Sequence, residues 1–371
     1  MNDFCPIKRF DHLEFYVGNA RQAAQFYSKF FGFRNTAYQG LETGSRKVAS
    51  YVMQQEDICF VLSTAFSPDH PISQSVLKHG DAVAIIALEV PDAVNAYKET
   101  TGRGAVGAIP PTEAEDGYGV LRYAAIHGYG DTLIKFVERS DYSGVFAPGF
   151  VPQDPAIETL RAASLNRNGA GLMNIDHIVG NVELGAMKRW VQFFADVMGF
   201  SLLVHFDDKS ISTEYSALMS KVMQDGTGKI KFPINEPAVG KRKSQIEEYL
   251  EYNNGPGVQH IACATNNMIA TVSQMRSAGV EFLHVPKIYY EDLEARVGKI
   301  DEPIEQLAEL GILVDRDEDG YLLQIFTQPV QDRPTLFFEV IERHGAQGFG
   351  EGNFKSLFEA IEREQALRGN L

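Results

Sequence analysis

At 371 residues the chain is long enough for two or three compact domains. A hydrophobic content of 44% with 22% charged residues is that of a globular protein and excludes disordered and collagen-like classes. Acidic residues outnumber basic ones 49 to 34, and a formal charge of −15 disfavours phosphate backbones and anionic headgroups as partners. No apolar run approaches the ~18 residues of a bilayer span, and the first residues lack the basic flank and apolar stretch of a secretory leader. Cys5, Cys59 and Cys263 are too few for a disulfide framework. The expectation is a cytoplasmic protein with neither nucleic-acid nor membrane partners.

Taken in chain order, Phe10–Val17 alternates as a strand, and a helical stretch follows that ends at Phe31-Gly32-Phe33, with Phe26, Tyr27 and Phe30 on one stripe. Gly80-Asp81-Ala82-Val83-Ala84 opens an apolar strand, Asp92–Thr100 reads as a helix, and Thr132–Arg139 closes on Glu-Arg. The stretch Ser143–Gly171, with Pro148, Pro152 and Pro155, reads as a linker. The pattern then repeats. Ile175–Val182 is a strand, and a helix carrying Trp190, Phe193, Phe194 and Val197 ends at Met198-Gly199-Phe200. Gly257–Ile261 opens a second apolar strand, Asn266–Ala278 a second helix, and Thr335–Arg343 again closes on Glu-Arg. The two Asp-His pairs, ending at His12 and His177, lie 165 residues apart. Matches in the same order imply two homologous α+β halves of mostly antiparallel strands, each curling a sheet around a central space.

Among nine histidines, His177 and His260 stand out on apolar strands of the second half, where a polar ring must find a partner. Glu339 is the third such residue, a carboxylate inside Leu336-Phe337-Phe338-Glu339-Val340-Ile341. Two imidazoles and one carboxylate form the facial set of non-haem Fe(II) oxygenases, with zinc as the rival metal. Aligning the halves on their glycine-led strands and Glu-Arg ends places His12, Val83 and Lys135 opposite His177, His260 and Glu339, so only the second half is expected to bind metal.

Longer segments carry a resemblance. Pro233-Ile234-Asn235-Glu236-Pro237, Lys241–Ile246, Gly257–His260, Leu323–Thr327, Arg333–Glu339 and Gly348–Phe354 together resemble the 4-hydroxyphenylpyruvate dioxygenase family of the vicinal-oxygen-chelate superfamily. The resemblance covers most of the chain from Gly171 onward and is looser before it. It implies tandem βαβββ modules forming two open β-barrel domains, residues 1–145 without metal and 172–371 catalytic, with a gating helix over 353–368. It also implies Fe(II) on His177, His260 and Glu339, which converts 4-hydroxyphenylpyruvate and O2 to homogentisate and CO2 in tyrosine and phenylalanine catabolism.

By the same resemblance Ser220, Asn235, Gln245, Gln259 and Gln324 surround the substrate, Gln245 and Gln324 with catalytic roles. Phe326, Phe337, Phe349, Asn353 and Phe354 complete the pocket and its gate. Gly345, Gly348, Gly350 and Gly352 read as the hinge of the gating helix, and Asn353 as its N-cap. Met219 stands where relatives carry a small or polar residue, a departure beside Ser220. The basic run Lys241-Arg242-Lys243 reads as a solvated helix start. A homo-oligomer, dimer or tetramer, is expected. The alternative activity is 4-hydroxymandelate synthesis, which uses the same substrate and metal set and differs at positions matching Pro233, Asn235 and Phe326. Non-oxidative metal enzymes of the superfamily, and metal-free binding proteins of the same fold, are further alternatives. The first is opposed by Val83 and Lys135, the second by the intact His177, His260 and Glu339.

Overall fold

The computed structural model describes residues 3–153, 169–206, 217–238 and 240–370. The first module is β1 (Arg9–Tyr16), α1 (Ala20–Phe31), β2 (Arg34–Gln39), β3 (Val48–Gln55) and β4 (Ile58–Ala65). After α2 (Pro71–His79) come β5 (Ala82–Glu89), α3 (Ala93–Gly102), β6 (Gly107–Asp116), β7 (Gly119–His127) and β8 (Leu133–Glu138), then the short β9 (Val151–Pro152). The second half begins with β10 (Leu172–Asn181), α4 (Met187–Met198), β11 (Ser201–Phe206), β12 (Ala217–Gln224) and β13 (Lys231–Ala238). It continues through α5 (Gln245–Tyr252), β14 (Gly257–Thr265), α6 (Met268–Ala278), α7 (Leu293–Val297), α8 (Ile304–Leu310), β15 (Leu313–Arg316), β16 (Tyr321–Phe326) and β17 (Phe337–His344). Helix α9 (Phe354–Leu367) follows.

Among the described residues these strands form one sheet per half, ordered β6-β7-β8-β5-β1-β4-β3-β2-β9 and β11-β12-β13-β10-β14-β17-β16-β15. Within each of the four modules the first strand lies parallel to the last: β1 to β4, β5 to β8, β10 to β13, and β14 to β17. The modules of a half join through antiparallel pairs, β1 with β5 and β10 with β14. The repeated βαβββ unit thus yields two curled, half-barrel sheets of mixed α+β character, the architecture expected from the repeat. Helices α1 and α4 end on Gly32 and Gly199 at φ of 77° and 75°, the left-handed cap that both copies of the motif prescribe.

Three sequence expectations change. His12 pairs with Ala87, which pairs with Lys135, just as His177 pairs with Ala262, which pairs with Glu339. Two residues before those alanines stand Ile85 and His260, so Ile85, not Val83, is the counterpart of His260. The slip came from matching Gly80 to Gly257: Gly80 closes α2 at φ 75°, whereas Gly257 is inside β14. The predicted linker is partly structural, because Val151–Pro152 pairs with β2 and Phe146 is buried with Ala37 and Val52, while residues 154–168, Pro155 among them, lie outside the described residues. Asn353 precedes α9 but does not cap it with its side chain.

The halves are packed through aromatic rings. Phe338 of β17 meets Phe31 and Tyr27 of α1 at 4.9 and 5.9 Å, and Tyr129 meets Trp190 at 5.9 Å. Because side chains alternate across a strand, Phe338 faces the first half while Phe337 and Glu339 face the interior of the second sheet. The core of the first half therefore braces the back of the strand that carries Glu339.

Candidate metal centre

His177, His260 and Glu339 come from β10, β14 and β17, three neighbouring strands, and all three are buried. His177 Nε2 lies 3.3 Å and His260 Nε2 3.5 Å from Glu339 Oε2. Both rings are oriented from behind. Asp176 Oδ1 sits 2.7 Å from His177 Nδ1, and Gln259 Oε1 2.9 Å from His260 Nδ1. Each Nδ1–H then donates to oxygen, leaving both Nε2 lone pairs aimed at the point that Glu339 also faces. A divalent ion fits this donor set: three ligand atoms within 4.8 Å of one another, with both far ring nitrogens already occupied.

The Asp-His pairing rests on a bulge. The β10–β14 register shifts between Ile175 and His177, which leaves Asp176 unpaired and able to reach its own neighbour's ring. Arg343 grips the same carboxylate with Nε and Nη2 at 2.8 and 2.9 Å, and its Nη1 donates to the carbonyls of Ala346 and Gly348. Sequence reasoning missed Asp176 and Arg343, although the repeated Asp-His and Glu-Arg pairs were their signal. The first half repeats the arrangement: Arg139 binds Asp11, Asp11 meets His12 Nδ1 at 2.5 Å, and the His12 ring packs on Phe146 as His177 packs on Phe349, both at 5.1 Å. There the sheet offers Ile85 and Lys135 instead of further ligands. The arginine–aspartate–histidine set therefore belongs to the module, and the metal set to one copy of it.

Charges follow from this geometry. Burial alone would push the Glu339 carboxyl up, but the His177 and His260 rings outweigh it and hold it at about 2. Burial likewise pushes His177 down, yet the Glu339 and Asp176 carboxylates outweigh it and raise the ring. His260, with a neutral amide behind it, is lowered by its burial. The carboxylates thus favour a cation at His177 Nε2, whether a proton or a metal ion.

A cavity of about 570 Å3 opens onto the three side chains. Ser220, Asn235, Gln245, Gln259, Gln324, Phe326, Phe337, Phe349 and Phe354 all line it, together with Pro233 and Val222. Helix α9 contributes Phe354, Leu357 and Phe358, and so forms one wall. Gln259 has its oxygen on His260, and Gln324 donates from Nε2 to Glu339 Oε1 at 3.1 Å. Asn353 is buried behind Gln324 and does not line the cavity; its Nδ2 donates to Gln324 Oε1 at 2.8 Å. Lys243 pairs with Glu251 away from the cavity, and Ser244 rather than the basic run caps α5.

A second His/carboxylate grouping, Glu302, Glu342 and His344, lies at the far end of β17. Its carboxylates already have structural tasks. Glu342 caps α6 by accepting from Met268 N–H at 2.6 Å, as Glu138 accepts from Ala93 N–H at the start of α3, and Glu302 accepts from Tyr321.

Comparison with known proteins agrees with this architecture. The family model described as glyoxalase/bleomycin resistance protein/dioxygenase superfamily matches residues 9–126 and 174–325. The chain is 45% identical to a 4-hydroxyphenylpyruvate dioxygenase of Yarrowia lipolytica, over all of this chain and 95% of that one. It is 47% identical to the enzyme of that name from Danio rerio, over 98% of this chain and 92% of that one. Among solved structures, a substituted 4-hydroxymandelate synthase from Streptomyces coelicolor superposes with a TM-score of 0.84 at 29% identity, covering 97% and 99% of the two chains. No helix among the described residues is long and apolar enough to cross a membrane.

Proposed function

The chain belongs to the 4-hydroxyphenylpyruvate dioxygenase family, and from that premise we propose that it holds Fe(II) on His177, His260 and Glu339 and converts 4-hydroxyphenylpyruvate and O2 to homogentisate and CO2. The observation that carries this reading is the convergence of two ring nitrogens and one carboxylate oxygen on the wall of a mostly apolar cavity. Three ligands on one face leave open positions for a chelating keto acid and for dioxygen. Fe(II) bound there supplies the redox chemistry of decarboxylation and ring hydroxylation.

The chain's own part is placement and exclusion of water. Phe326, Phe337, Phe349 and Phe354 present ring faces and edges to an aromatic substrate. Ser220, Asn235 and Gln245 offer neutral donors and acceptors that can place a phenol without ionising it. Among the described residues Glu339 is the one carboxylate on the cavity wall, so a bound divalent ion removes the main repulsion against an anionic keto acid. Helix α9 closes the cavity and keeps the reacting centre dry. The same reading includes a cytoplasmic location, a homo-oligomer measurable by sedimentation, and a division of the chain near 1–145 and 172–371.

Anaerobic loading with Fe(II), followed by 4-hydroxyphenylpyruvate and air, tests the proposal. Homogentisate is the expected product. 4-Hydroxymandelate would reassign the pocket residues Pro233, Asn235 and Phe326 while keeping the metal set, and absence of both product and oxygen uptake would refute the reading.

A further inference from the structure

A chain of hydrogen bonds leads away from Glu339 to residues outside the cavity, and its direction is fixed by the carboxylate. Ionised Glu339 can only accept, so Gln324 must turn its NH2 toward Oε1, at 3.1 Å. Gln324 Oε1 then faces Asn353, which must answer with Nδ2, at 2.8 Å. That leaves Asn353 Oδ1 toward the Tyr289 hydroxyl, 2.6 Å away, which must donate. At the far end the Tyr289 oxygen accepts from the backbone N–H of Val314 at 2.9 Å and also lies 2.9 Å from the Val314 carbonyl, a second acceptor for its proton, so the direction of the chain is set from Glu339. Reversing either amide would set two acceptors, or two donors, face to face in a buried place.

With Oε1 engaged by Gln324, the oxygen left to face both histidines is Oε2. The first half is an internal control. Register places Tyr123 where β16 has Gln324, and its ring lies 4.6 Å from Lys135 Nζ, the group at the Glu339 position. The arginine–aspartate–histidine set persists in both halves, whereas among the described residues the amide chain is found only beside Glu339.

Resting on the metal assignment proposed above, we propose that Tyr289 and Asn353 are positioning residues that act through Gln324 to select the Glu339 oxygen facing the metal. Neither lines the cavity. Asn353, which family resemblance places among substrate contacts, is in this reading a support for the ligand.

The test uses the full-length chain without substrate and Co(II) as a spectroscopic probe of the centre. Tyr289→Phe removes one oxygen and keeps the ring; it should weaken Co(II) binding about tenfold, the lower end for losing a supporting group, and shift the visible Co(II) absorption. Asn353→Asp keeps the shape but loses the donor to Gln324, and should do the same. In a double-mutant cycle Tyr289→Phe should add nothing to Asn353→Ala, because both break one chain. Wild-type Co(II) affinity and absorption in Tyr289→Phe, or losses that multiply in the double variant, would overturn the proposal. If Asn353→Ala fails to fold, Tyr289→Phe decides alone. Should the Fe(II) enzyme yield a product other than homogentisate, the functional reading fails while the Co(II) data still judge this chain of bonds.

Discussion

Glu339 is a buried carboxylate whose charge is tolerable because two imidazoles and an amide face it. Glu339→Ala is expected to lose bound iron and turnover together, measured as metal content after gel filtration and as oxygen uptake; normal iron with full activity would sink the assignment. Gly350 makes a second prediction at this scale. Its φ is 77°, and a Cβ there would come within 1.7 Å of Gln324 Oε1. Gly350→Ala therefore combines a left-handed strain of ~1–2 kcal/mol with displacement of the amide that holds Glu339. Reduced Co(II) affinity is expected, and an unchanged titration would contradict it. The grouping of His177, His260 and Glu339 was legible in the sequence because each is a polar group in an apolar strand. Asp176 and Arg343 left a signal in the repeated Asp-His and Glu-Arg pairs, but their bonding depends on a bulge and on a partner far away in sequence, and Tyr289 left none because its partner is 64 residues away.

At the scale of elements, α9 is both a wall of the cavity and, through Asn353 at its base, a neighbour of the metal ligand's support. Removing residues 353–371 should lower turnover, raise oxygen consumption without product, and weaken Co(II) binding as Asn353→Ala does. A truncated chain that stays fully coupled and binds Co(II) normally would make the helix a structural cover only. Strands and helices were readable where the pattern repeats, since two copies of a strand, a helix and a glycine cap reinforce each other. The register was harder. Gly80 and Gly257 look alike in sequence, yet one ends a helix and the other lies inside a strand, and only the ladder shows that Ile85 stands opposite His260. The Asn353 cap failed for a related reason. Local spacing favours a bond to the helix's own first turn, while the buried Gln324 amide and the Tyr289 hydroxyl compete for the same side chain and win.

For the whole molecule, the first half separates stability from chemistry. Burial pushes the Asp11 carboxyl up, but Arg139 and His12 pull it below its usual range. A carboxyl lowered in the folded state contributes stability above its unfolded pKa of about 4, and that contribution is lost as pH falls through the folded value. Arg139→Met raises the folded value, so acid unfolding should begin at higher pH. Leaving Asp11 buried without its partner should also cost ~3–5 kcal/mol near neutrality. Urea unfolding followed by circular dichroism at pH 7, 5 and 4 measures both effects, and bound iron per folded chain should not change. An unaltered acid midpoint would refute this account. The aromatic seam between the halves bears on how the protein can be handled. Phe338 stands directly beside Glu339 in sequence and is covered by Phe31, Tyr27 and Phe60 of the other half. A fragment cut near residue 170 would carry every metal ligand and every cavity residue, yet its sheet would turn a bare, sticky ring outward beneath the ligand strand. Such a fragment should clump rather than fold alone, so the half that carries the His177, His260 and Glu339 group is inseparable from the half that covers its ligand strand.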